Sequence, residues 1–255
     1  MRKSKFLQAA IRAAKKSEKV ILKYYSNNSI KFNTKKDNSP VTIADVKAEK
    51  IIIDEIKKNF PNHSFLGEES GQSKNNSEYQ WIIDPIDGTT NFTRGIPFFS
   101  TEIALMKNGK FILGVSNAPA LQEMLYAEKG KGAYKDSQKI SVSNIKNIKE
   151  AYSSTGSLKY FVRNKQDKNL SHLNNDIRRH RIFGDFWNYH LLACGKVDIV
   201  IEANTKIWDI AALLVIVEES GGKVTDITGK SIDINSTDII ATNGKLHSKV
   251  LSYFK

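Results

Sequence analysis

The sequence predicts an α+β fold built in layers. Three observations lead there. Helical spacing and strand-like runs of apolar residues follow one another without a regular βαβ repeat, which argues against a doubly wound parallel sheet. Asn108-Gly109 between two apolar runs is a strong hairpin signal, because both residues tolerate positive φ, so at least part of the sheet is antiparallel. The chain has 255 residues, 40% of them hydrophobic, enough for one sizeable core or for two subdomains sharing one.

Phe6, Ala10, Ala14, Ile21 and Tyr25 recur at near-helical spacing and predict an amphipathic first helix. Arg2, Lys3, Lys5, Arg12, Lys15, Lys16 and Lys19 are spread through the same stretch, so it lacks the uncharged core of a signal peptide. A second helix is expected over about 42–59, with Ile52, Ile53 and Ile56 inward and Phe60-Pro61 ending it. Ser64-Phe65-Leu66 reads as a short strand delivering Gly67-Glu68-Glu69-Ser70, and 72–78 as a polar loop. A buried strand over Tyr79–Ile83 ends at Asp84. Strands follow near 100–106 and 110–116, and another near 124–127 leads to the turn Lys129-Gly130-Lys131-Gly132.

Residues 136–150 are polar and rich in Lys, Ser and Asn, and predict a subdomain junction. Residues 1–136 then form an N-terminal α+β subdomain, and 137–255 a C-terminal α/β subdomain. In the second, strands are expected near 151–154, 198–201 and 238–242. Helices are expected near 164–175, 187–195, 209–220 and 246–254, with Gly221-Gly222 closing the third.

The longest apolar run, Ile210 to Val217, is followed by Glu218-Glu219 and falls well short of the roughly 18 residues of a membrane span. Cys194 is the only cysteine, so no internal disulfide forms. A cytoplasmic protein without a membrane partner is the plain inference. The net charge of +12 suits a nucleic-acid partner, but no basic motif interleaved with aromatic residues is present. A Lys-rich solvated surface accounts for the charge, and no nucleic-acid partner is expected. The rival class is a nucleic-acid-binding protein that has lost catalysis.

The chemistry concentrates in carboxylates. In Asp84-Pro85-Ile86-Asp87-Gly88-Thr89-Thr90-Asn91 a buried strand ends in two carboxylates with a proline between them. Proline fixes φ and forces a turn, so the Ile86 carbonyl can point the same way as both carboxylates. Three hard oxygens converging on one point suit Mg²⁺. Gly88 admits a close ligand, and a helix starting at Thr89 would aim N–H groups at an anion. A surface turn accounts for the isolated motif equally well. Glu68 follows another short strand and could join the same centre. Asp209, after Trp208, opens an apolar helix and could equally be a capping residue. Thr42 with Asp45 looks like a capping box.

Together these segments resemble the inositol monophosphatase family of metal-dependent phosphatases. The resemblance runs from Val41-Thr42 through Gly67-Glu68-Glu69-Ser70 and 84–92 to Trp208-Asp209 and Gly221-Gly222. It implies a layered α-β-α-β-α sandwich, a homodimer, two or three Mg²⁺ ions, inhibition by lithium and a small-molecule phosphate ester as substrate. Residue by residue, it implies that Glu68, Asp84 and the Ile86 carbonyl hold one metal, and Asp84, Asp87 and Asp209 a second. Asp45 and Thr89, with Glu68, would serve catalysis by orienting the attacking water. Gly88 and Thr89 N–H groups would bind phosphate.

The leaving-group pocket is placed by the resemblance around Gly184-Asp185-Phe186 and Glu202. The run Arg181–Tyr189 looks like the histidinol-phosphatase branch. Histidinol phosphate carries an ammonium near its phosphate, which Asp185 and Glu202 could meet with charge-assisted hydrogen bonds. Phe186, Trp187 or Tyr189 could pack on its imidazole. The plainer account makes Asp185 a helix cap and these aromatics core. Inositol-1-phosphate is the alternative substrate, and a nucleotide 3′-phosphate a further one. His63, His172, His180, His190 and His247 show no metal-ligand spacing. Cys194 is expected to be buried rather than reactive.

Overall fold

The computed structural model describes residues 3–26, 32–34, 40–73, 75 and 77–255. Helix α1 (Lys5–Tyr25) opens on Ser4, whose hydroxyl accepts the Leu7 N–H. Its small face of Ala10, Ala13 and Ala14 lets α2 (Ile43–Lys57) approach closely. Between them the short strands β1 (Phe32–Thr34) and β2 (Pro40–Thr42) pair antiparallel.

Strands β3 (Ser64–Gly67), β4 (Gly71–Gln72), β5 (Tyr79–Asp87), β6 (Ser100–Lys107), β7 (Lys110–Ala118), β8 (Glu123–Glu128), β9 (Ala133–Lys135) and β10 (Gln138–Lys139) form the first sheet. Their order is β10-β9-β8-β7-β6-β5-β3-β4 among the described residues. Among the described residues of this sheet only β3 and β5 pair in parallel, and the Asn108-Gly109 hairpin forms as expected. Helix α3 (Thr89–Thr93) is a single turn after β5.

The second sheet has the order β12-β11-β13-β15-β14. Its strands are β11 (Tyr152–Thr155), β12 (Arg179–Arg181), β13 (Ile199–Glu202), β14 (Lys223–Thr225) and β15 (Ile239–Thr242). Helices α4 (Leu158–Arg163), α5 (Asp167–Asp176), α6 (Asp185–Ala193), α7 (Ile207–Glu219) and α8 (His247–Leu251) complete the chain.

Strand alternation sorts the layers. Trp81 and Ile83 of β5 pack with Leu7, Ile52 and Ile56 of α1 and α2. Ile82, one residue out of phase, packs with Leu192 of α6 and Leu213 of α7, which also bury Val200 and Ile239 of the second sheet. On the far side, Ile199 and Ile201 meet Phe161, Leu173 and Val250 from α4, α5 and α8. The order is helix, sheet, helix, sheet, helix. Helix α7 lies almost against β7: a methyl group on Gly114 would sit 2.1 Å from the Ala212 carbonyl oxygen.

Several expectations are corrected. Strand β5 continues through Pro85 to Asp87 instead of stopping at Asp84. The helix expected near 164–175 is α5, which begins only at Asp167, and a tight bend with Lys165 at φ 58° separates it from α4, a helix that was not expected. Helix α7 begins two residues before Asp209, and the last helix stops at Leu251. Part of the polar 72–78 stretch lies outside the described residues, and Gln72 itself belongs to β4.

Candidate active site

On a regular strand, residues three apart face opposite sides of the sheet. Asp84 and Asp87 would therefore diverge. The pairing of β5 with β6 shifts register between these two positions, and this bulge brings both carboxylates to the face covered by α6 and α7. Proline can occupy the bulge because no ladder bond is asked of its missing N–H. The Pro85 carbonyl instead accepts the Thr101 hydroxyl at 2.9 Å. Ile86 anchors the turn by burying its side chain with Phe92 and Phe99. Its N–H donates to Asp84 Oδ1 at 2.9 Å.

Helix α7 brings the third carboxylate. Asp209 lies in its first turn and accepts the Lys206 N–H at 2.8 Å, so the capping account holds only from inside the helix, with Lys206 as the N-cap residue. It is also incomplete. Carboxylate oxygens of Asp84, Asp87 and Asp209 all lie within 4.8 Å of one another. Burial and the neighbouring Glu68, Asp87 and Asp209 push Asp84 well above the usual carboxylate range. Asp87 is raised by burial and by Asp185, Asp209 and Glu102, against a 2.8 Å hydrogen bond from the Phe186 N–H. Burial takes Asp209 up to about 7. Such a cluster is strongly self-repelling until a cation joins it, and its donors are all hard oxygens. The residues fit a divalent metal ion such as Mg²⁺.

Glu68 stands beside Asp84, within hydrogen-bonding range of it. The loop carrying it is gripped from α2, where buried Glu49 accepts the Glu69 N–H at 2.9 Å and the Ser70 N–H at 2.8 Å. Asp45 also has two roles. Its Oδ2 accepts the Thr42 N–H and hydroxyl, the expected capping box, while its Oδ1 accepts the Thr89 hydroxyl at 3.4 Å. The same hydroxyl reaches the Ile86 carbonyl at 3.0 Å. Burial raises Asp45 above its ordinary range. Gly88 adopts φ 82°, and a Cβ there would meet the Phe98 carbonyl oxygen at 2.8 Å, so glycine is required. The first amides of α3, after Gly88, have no acceptor within the helix.

Glu68, Gly88, Thr89 and Asp209 line one cleft of about 310 Å³, whose walls also include Tyr160, Asp185 and Glu202. Asp185 is exposed as a residue, and its Oδ2 accepts the Asn91 amide at 3.1 Å. Glu202 is buried, and burial pushes its carboxyl up to about 8.

A model of the inositol monophosphatase family matches residues 2–255. The chain belongs to this family. It is a phosphatase. Over 212 residues it is 42% identical to a fructose-1,6-bisphosphatase/inositol-1-monophosphatase of Thermotoga maritima, covering 83% of this chain and 80% of that one. Over 251 residues it is 36% identical to a histidinol-phosphatase of Mycobacterium tuberculosis, covering 96% of each. Its structure matches the extragenic suppressor protein suhB of Bartonella henselae with a TM-score of 0.93, at 33% identity over 99% of both chains.

Around the cleft of this phosphatase, the expectations for the aromatic residues and for Cys194 are corrected. Phe186 and Tyr189 do not line it, because both are core residues between the sheets. Trp187 packs at a tilt on Phe98 instead, with ring centroids 5.7 Å apart. The aromatic ring in the cleft wall is Tyr160 of α4. His190 is buried away from the cleft, between Ser116 at 2.6 Å and Glu123 at 2.7 Å. Cys194 is half-buried.

Two residues near the cluster escaped the sequence reading. Glu102 of β6 pairs with Asp84 across the strands and is buried, with Ser100 and Ser116 hydroxyls on Oε1 at 2.6 Å each. Its signal was a lone carboxylate inside an apolar strand. Asn188 of α6, fully buried, donates to Glu202. Nothing in the run Gly184–Tyr189 singled it out.

Proposed function

We propose that the protein is a Mg²⁺-dependent phosphomonoesterase that hydrolyses histidinol phosphate to histidinol and phosphate, the phosphate-releasing step of a histidine-forming route. The observation that carries this reading is Glu202. It is a desolvated carboxylate in the cleft wall, and the charges that act on it, Asp185 and Asp209, are both negative. A cationic leaving group supplies the missing countercharge, whereas a neutral polyol does not. The ammonium of histidinol phosphate would lie against Glu202 and Asp185, and its imidazole against Tyr160.

In this reading Glu68, Asp84, Asp87, Asp209 and the Ile86 carbonyl would hold Mg²⁺, as two or three ions. When bound, Mg²⁺ neutralises charge on the phosphoryl oxygens, the main demand of phosphoryl transfer. The remaining work falls to this chain's own groups. The Gly88 and Thr89 N–H groups orient the phosphate. With the Ile86 carbonyl taken by the metal, the Thr89 hydroxyl would donate to Asp45 Oδ1, leaving a lone pair to hold the attacking water in place. Because Oδ2 of Asp45 is occupied by Thr42, only Oδ1 faces the reaction. The family resemblance further suggests a homodimer and sensitivity to lithium.

Phosphate release from a panel of monoesters, with and without Mg²⁺, tests the proposal. Histidinol phosphate should give the highest kcat/KM. A higher value for inositol-1-phosphate would move the assignment to the alternative, and one for a nucleotide 3′-phosphate to the third. Release that is indifferent to Mg²⁺ would remove the metal from the reading.

A further inference from the structure

Asn188 lies at the end of a directional chain of hydrogen bonds. The chain starts at the Phe183 N–H, which can only donate, and which points at Ser154 Oγ at 3.2 Å. The single Ser154 hydroxyl proton is then free to go to Asn188 Oδ1, at 2.5 Å. With its oxygen engaged, Asn188 must turn its NH₂ toward Glu202 Oε1, which it reaches. A backbone amide therefore fixes the amide orientation of Asn188. The other side of Glu202 is shaped by Gly156, where a Cβ would lie 2.1 Å from Glu202 Oε2 and whose N–H also donates to the carboxylate.

We infer that Asn188 is a positioning residue for specificity: it holds Glu202 as a hydrogen-bond acceptor facing the cleft, and so favours a cationic leaving group over a neutral one. This rests on Glu202 contacting the leaving group, as proposed above. Both donors on Glu202 are neutral N–H groups. They offset only part of the burial that raises Glu202 to about 8, so a positive charge on the substrate is what completes its ionised form. An acceptor at position 188 would instead reward a protonated Glu202, a group able to donate to a sugar hydroxyl.

The test compares histidinol phosphate with inositol-1-phosphate on the full-length Mg²⁺-loaded enzyme and on Asn188→Ala, Glu202→Gln and the double variant. A lost hydrogen bond to a charged group corresponds to about a tenfold effect. Asn188→Ala should raise KM for histidinol phosphate about tenfold, with kcat changed much less. Its effect on inositol-1-phosphate should stay within about threefold. In the Glu202→Gln background Asn188→Ala should cost less than about twofold, since the two residues then act as one unit. Equal losses on both esters, or equal costs in both backgrounds, would overturn the inference. Ser154→Ala breaks the same chain one bond further from the cleft and serves if Asn188→Ala does not fold. It should show the same preference in weaker form, and loss of both esters alike would overturn the inference. If the unaltered enzyme prefers inositol-1-phosphate, cation selection falls together with the substrate proposal. The coupling of Asn188 to Glu202, measured on that ester, then decides the positioning role separately.

Discussion

Asp87 faces two demands. It accepts the Phe186 N–H, which ties β5 to the start of α6, and it shares the carboxylate cluster with Asp84 and Asp209. Asn at this position keeps an oxygen for the Phe186 amide and loses the negative charge. We therefore expect Asp87→Asn to fold, with a metal-free Tm equal to or above that of the unaltered protein, because repulsion from Asp185 and Asp209 is relieved. Phosphate release at saturating Mg²⁺ should fall by about a hundredfold or more, given that even outer partners of metal ligands are worth 10–100-fold. Normal turnover in this variant would remove Asp87 from the metal site. At this scale much of the site was readable, because Glu68, Asp84, Asp87 and Asp209 stand at ends of apolar elements. Asn188 was not readable: its partners Ser154 and Glu202 are distant in sequence, and only the fold joins them.

Elements were legible where one face is apolar and the ends carry turn or cap residues. Helix α1, helix α2 with its Thr42–Asp45 box and the Asn108-Gly109 hairpin are of this kind. Strand β5 misled because Pro85 ordinarily ends a strand, whereas here a bulge absorbs it. Helix α4 escaped because Leu158 and Val162 are exposed, which blurs its periodicity, and Tyr160 of the cleft wall was lost with it. The short edge strands carry too few residues to show alternation. How one element supports another is testable at Glu49. This buried α2 carboxylate holds two backbone N–H groups of the loop after Glu68, and Gly67 leaves it the room to do so. Glu49→Ala would leave both amides without that acceptor. It should cost about 2–4 kcal/mol in stability and raise the Mg²⁺ concentration for half-maximal activity about tenfold. Thermal unfolding and a Mg²⁺ titration measure the two effects. An unchanged Mg²⁺ requirement would mean that the loop holds Glu68 without α2.

The whole molecule carries a net charge of +12, yet a cluster of carboxylates gathers where the two sheets and the central helices meet. That concentration links metal binding to pH. The folded-state values of Asp209, Glu102 and Glu202 rise to about 7, 8 and 8, above their ordinary values of 3.8, 4.5 and 4.5. Between the ordinary and raised values, the folded state keeps protons that the unfolded chain has given up. The stability this contributes is fully present below about pH 4 and is lost as pH rises through 7 and 8. Buried His190 works in the opposite sense, because its lowered value makes the fold resist protonation, and it costs stability below about pH 6.5. The window from pH 6.5 to 8.5 therefore isolates the carboxylates. In it, the Tm of the chelator-treated protein should fall with rising pH. Mg²⁺ binding requires deprotonated ligands, so its affinity should grow over the same range. Bound cations also remove the repulsion that destabilises the ionised cluster. The difference in Tm with and without Mg²⁺ should therefore widen steadily from pH 6.5 to 8.5, read by thermal scans at fixed ionic strength. A difference that stays flat or narrows would mean that the acidic cluster and the metal are not linked as the geometry requires.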